Sequence, residues 1–184
     1  MRHFLAASLL LLPLAGQAQQ EDLRTNPLTG EPRSAFDPIS YDEVGNRIGA
    51  CLDREVSDAP EVKAEALSCE AEALDFCARV IAEYPIARDE CALSVQLAWG
   101  DLRFEAGEII IDALYALLNG TETDEPVRAE AEAFSAADDA WRVKLANSCL
   151  GDMEPEAHIA CETAIERDRA VLYYARLAEM AANP

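Results

Sequence analysis

An all-α fold, a disulfide-stapled antiparallel bundle of about five helices, is what three features of this chain predict. Apolar residues recur at alternating steps of three and four along most of the sequence, the spacing that gathers them on one face of a helix. Prolines and capping residues interrupt that pattern at Pro60, Pro85, the run 119–126 and the run 151–155. Cysteines stand on the apolar stripes in pairs placed about three of those interruptions. No stretch alternates with period two for long enough to make a strand, and even Ile109-Ile110-Ile111 sits inside a helical stripe.

Residues 1–18, MRHFLAASLLLLPLAGQA, combine a basic start at Arg2, an apolar run from Phe4 to Leu14, and the small residues Gly16 and Ala18. That is the make-up of a signal peptide cut near Ala18, so the mature chain is expected in the periplasm or outside the cell. The run is too short for a stable membrane span, and no second long apolar stretch follows. Residues 19–39 are polar, hold three prolines and show no periodicity, which predicts a flexible or loosely packed leader. A single helical domain is expected over 40–184.

The first helix opens on Ser40, whose spacing to Glu43 is that of a capping box, and buries Val44, Ile48, Cys51 and Leu52. Asp58 and Pro60 signal a second start. Its stripe is Val62, Ala66, Cys69, Ala73, Cys77, Val80 and Tyr84, ended by Pro85. A third, long helix over 86–118 carries Cys91, Val95, Trp99, Leu102, Ala106, Ile109, Ala113 and Leu117, with Asn119-Gly120 as its stop. Gly100 and Gly107 lie inside it and cost about 1 kcal/mol each relative to alanine, which points to a bend or a close helix contact. The fourth begins near Asp124 and buries Val127, Ala131, Phe134, Trp141, Leu145 and Cys149; the fifth begins at Pro155 and turns Ile159, Ile165, Leu172 and Leu177 inward. Both tryptophans read as core.

All six cysteines follow the signal peptide, and an even count in an oxidising compartment argues for three disulfides. Cys51 and Cys69 are equidistant from Pro60, Cys77 and Cys91 nearly so from Tyr84-Pro85, and Cys149 and Cys161 from Pro155. In antiparallel helices, residues equidistant from a turn lie at the same height, so these are the expected pairs, with an exchange among the first four as the alternative. A metal site is not expected, because CxxC and D-x-D-x-D-G patterns are lacking and His158 is the only histidine after the signal peptide.

The run 133–177 sets Trp141 eight residues before Cys149 and Cys161 eight before Arg169, each pair close on one helix face, around the break Gly151-Asp152-Met153-Glu154-Pro155. This arrangement resembles the C-terminal half of the LprI-type lysozyme inhibitor domain, a secreted bacterial helical module with the pattern W-x-x-[YF]-R-[DE]-x-x-C, then C, then an arginine. The matching residues are Trp141, Cys149, Cys161 and Arg169, after a polar run resembling Ala137, Asp138 and Asp139; Leu145 and Ala146 stand where the pattern has Arg-Asp. The likeness covers about 91–173. It implies a secreted helical fold, the Cys149–Cys161 pairing and, as an expectation, inhibition of a lysozyme.

The formal charge is -20; without Arg2 the chain carries fourteen basic against thirty-five acidic groups, a net -21. Such a surface repels nucleic acid and attracts cationic proteins, lysozyme among them, although acidity for solubility alone is an equal reading. His158 lacks a credible nucleophile to serve, the acids fall mainly on outer helix faces, and Asp138 is placed to pair with Arg167 or Arg169. The expectation is a binding protein without cofactor or catalytic residues. Its partner would meet the exposed acidic loops, through Thr121, Glu122, Asp124 and Glu125 or through Asp152 and Glu154. The alternative is a non-enzymatic envelope or stress module with no lysozyme target.

Overall fold

A computed structural model describes residues 22–55, 62–120, 125–151 and 153–182. The signal peptide expected over 1–18 lies outside them, as do Thr121, Glu122, Asp124 and Asp152. Five helices follow in order: α1 Tyr41–Glu55, α2 Val62–Ala82, α3 Cys91–Gly120, α4 Glu125–Ser148 and α5 Pro155–Ala182. The all-α, disulfide-stapled architecture is therefore as the periodicity predicts. Among the described residues, no helix is long and apolar enough to cross a membrane.

The disulfides join Cys51 to Cys69, Cys77 to Cys91 and Cys149 to Cys161, each closing a turn between consecutive helices. The helices joined in this way, α1 with α2, α2 with α3 and α4 with α5, thus run antiparallel. α3 is the hub, packed against all four others. Its contacts with α5 advance together along both helices, Gln96 meeting Glu162, Gly100 meeting Glu166 and Gly107 meeting Tyr173, so these two run parallel. At Gly107 an added Cβ would lie 3.2 Å from the Tyr173 ring, and the bare backbone is what lets α5 come this close.

Among the described residues, two apolar clusters fill the interior. The larger gathers Val44, Ile48, Leu52, Phe76, Val80 and Trp99 among α1, α2, α3 and α5; the smaller sets Ala106, Ile110 and Leu114 of α3 against Ala131 of α4 and Tyr173 of α5. Full burial of a side chain such as Ile48 or Leu52 contributes roughly 1.5–3 kcal/mol.

Some details depart from the sequence reading. α3 starts at Cys91 rather than near 86, because the Asp89 carboxylate accepts the Cys91 N–H at 3.3 Å and caps it there. Its buried stripe continues from Ala106 to Ile110 and Leu114, leaving Ile109 55% exposed: beyond Leu102 α4 takes the place of α1 and α2 beside α5, and the inward face turns with it. On α5 the inward residue is Tyr173, and its neighbour Leu172 is 59% exposed.

The segment 22–39, read as a loosely packed leader, holds a buried anchor. Arg33 donates to both carboxylate oxygens of Glu43 at 2.5 Å and to the carbonyls of Pro38 at 2.8 Å and Leu23 at 3.0 Å. Their side chains are only 1% and 2% exposed. The capping box is correspondingly half formed. The Glu43 N–H donates to Ser40 Oγ at 3.3 Å, but the Glu43 carboxylate turns to Arg33 instead of back to the helix end.

Candidate functional site

The four motif residues from the sequence form two pairs, Cys149 with Cys161 at the α4–α5 turn and Trp141 with Arg169 at the α3–α4–α5 junction. Cys149 and Cys161 tie the end of α4 to the second turn of α5. His158 reinforces the same turn, with Nδ1 2.9 Å from the Cys149 carbonyl oxygen and Nε2 3.3 Å from Glu162. Two turns further along α5, the Arg169 guanidinium lies 5.8 Å from the centre of the Trp141 ring.

Trp141 is not a core residue as expected; it is partly exposed, a platform for guanidinium groups. Arg103 of α3 stacks on it at 4.7 Å. Arg103 donates through Nε to Glu166 of α5 at 2.8 Å and through Nη1 to Asp138 of α4 at 3.4 Å. Asp138 also accepts the Tyr173 hydroxyl and pairs with Arg142 at 3.0 Å, while Tyr173 accepts from Arg169 Nε at 3.0 Å. The partner expected for Asp138 was Arg167 or Arg169. Arg167 instead crosses to Glu70 of α2 at 3.0 Å, and that same carboxylate oxygen accepts the indole N–H of the fully buried Trp99 at 2.9 Å. Arg167 is engaged with α2, and Arg103, unmarked in the sequence reading, takes the place between α4 and α5.

Burial sets the ionisation of this network. It pushes the Glu166 carboxyl above the usual carboxylate range, against the pull of Arg103, and Asp138 and Glu162 add to the rise. Burial likewise raises the Tyr173 phenol to about 12, helped by its hydrogen bond to Asp138. Because the phenol of the unfolded chain ionises near 10, the folded state holds the extra proton between those values, and stability falls as pH rises from 10 through 12. We expect an ultraviolet titration to show a late-ionising tyrosine that is lost in Tyr173→Phe. The same variant should flatten the alkaline loss of stability, and an unchanged titration curve would refute this assignment.

The network consumes cations. Arg24, Arg33, Arg79, Arg103, Arg142, Arg167 and Arg176 each pair with a carboxylate of this chain. Many acids, by contrast, are exposed and meet no cation among the described residues; Asp101, Glu105, Glu108 and Asp112 on α3 and Asp139 on α4 are examples. Of the expected loop residues, Glu125 and Glu154 are both exposed, at the starts of α4 and α5.

Comparison of the chain with protein-family models, with curated proteins and with solved structures finds no match.

Proposed function

We propose that this is a secreted or periplasmic binding protein for a cationic protein, with a lysozyme or related cell-wall hydrolase as the target and inhibition as the outcome. The observation that carries the reading is the acidity of the surface. Arg33, Arg103 and Arg167 are paired inside the molecule with Glu43, Glu70, Asp138 and Glu166, three cations with four acids, so the interior takes up little of the acidic excess, and exposed acids such as Asp101, Glu105, Glu108 and Asp112 carry it. A field of that sign accelerates encounter with a basic partner and suppresses acidic ones. Three disulfides within consecutive hairpins harden the scaffold, as suits a protein that works outside the cell. The resemblance at Trp141, Cys149, Cys161 and Arg169 points to the same target class.

The test is a turbidity assay of lysozyme on a bacterial cell suspension with the mature protein added. We expect inhibition at micromolar excess that weakens between low and physiological salt, since screening shortens the reach of surface charge to about 8 Å at 0.15 M. Full lysozyme activity at both salts, with no complex detected by calorimetry, would remove the reading.

A further inference from the structure

The outer face of α3 is neither an ordinary solvated surface nor part of the core. Asp101, Glu105, Glu108 and Asp112 recur along it at steps of four, three and four, all exposed. Interleaved with them are Phe104, Ile109 and Tyr115, exposed at 50%, 55% and 48%. Large apolar side chains held half in water between carboxylates along one helix face offer apolar contact as well as charge to a partner. From Asp101 to Tyr115 the face is about 21 Å long, the scale of a protein partner rather than of a small ion.

Beside this face, α1 and α3 enclose a groove of about 330 Å³. Its floor is low because Gly45 of α1 stands against Ala98 of α3, where an added Cβ would already meet Ala98 at 3.7 Å. Asp42, Asp101 and Glu105 line its open side, and Tyr41 and Tyr174 supply aromatic walls. Carboxylates over an aromatic-walled slot are the complement of an arginine or lysine side chain, whose stem packs on the rings while its head meets the acids. Neither Asp101 nor Glu105 meets a cation of this chain among the described residues.

We propose that the α1–α3 face is the surface on which a basic protein docks, with one of its arginine or lysine side chains seated in the groove. The assignment rests on the reading of this protein as a binder of cationic proteins and places the contact away from the acidic loops that begin α4 and α5. Asp101 and Glu105 are exposed side chains that hold no other element, so D101N/E105Q keeps the fold, and its circular dichroism and melting temperature should match the wild type.

The experiment compares wild type, D101N/E105Q and the loop control E125Q/E154Q against two probes, lysozyme and a lysine heptapeptide, whose amines can couple to carboxylates, by calorimetry at low salt. Carbodiimide crosslinking and peptide mapping locate the contact. The expected result is roughly ten-fold weaker binding of both probes by D101N/E105Q, little change in the control, and crosslinks on α1 and α3. If lysozyme fails to bind but the heptapeptide crosslinks to Asp101 or Glu105, the target named above falls and the docking face stands. If lysozyme binds and only E125Q/E154Q weakens it, the docking face falls and the target stands. Absence of binding by both probes overturns both.

Discussion

Replacing Arg33 with alanine is expected to destabilise the protein by about 3–5 kcal/mol, the cost of stranding the Glu43 carboxylate in a site closed to water. Glu43 is 2% exposed and both of its oxygens accept from Arg33, so no solvent is placed to take over those bonds. The same substitution strips donors from the carbonyls of Leu23 and Pro38 and removes a cation 5.7 Å from the Phe76 ring. Urea denaturation would show a lower midpoint. In R33A/E43A part of the loss should return, because the stranded charge goes with its partner. A loss below about 1 kcal/mol would mean that segment 22–39 is not bound to the domain as described.

Arg103→Ala should be of similar size, about 3–5 kcal/mol, for a different reason: one guanidinium serves two buried acids. Asp138 and Glu166 have side chains 13% and 12% exposed, and without Arg103 they face each other across the α4–α5 gap with less positive charge between them. The loss has a pH signature. Glu166 already ionises above the value of 4.5 for a free side chain, so its protonated form is favoured by folding; that contribution is complete below the unfolded value and disappears as pH rises through the folded one. Removing Arg103 deepens the effect. The variant should therefore be hurt more at neutral pH than near 4.5, and a penalty independent of pH would show that stacking on Trp141, rather than charge, is what Arg103 contributes.

The helices and their pairing were legible because period and punctuation are local. Cys51, Cys77 and Cys149 reveal their partners by counting residues to a helix break, and the structure joins the same pairs. What sequence could not supply was the identity of the neighbour at each turn of α3. Arg103 falls between Leu102 and Ala106 on a strongly apolar stripe, and only the approach of α4 and α5 makes room there for a cation. Trp141 reads as core by size and spacing, yet it covers that cation instead. Arg33 lies in a proline-rich stretch without periodicity, where nothing marks a buried ion pair except Glu43 ten residues on. The docking face was hidden in the same way. Ile109 sits on the apolar stripe and Phe104 and Tyr115 sit off it, yet all three are about half exposed, because the pattern does not say which residues the next helix will fail to cover.

Every disulfide joins a cysteine to the next one in the chain, over separations of 18, 14 and 12 residues. An oxidant that acts on thiols in the order they emerge, first with second, third with fourth, fifth with sixth, produces the native set directly. Fifteen pairings are open to six cysteines, and most would need later reshuffling. Here no bond has to wait for a distant segment, and no loop threads another. Oxidation in chain order would thus reach the native set without an isomerase.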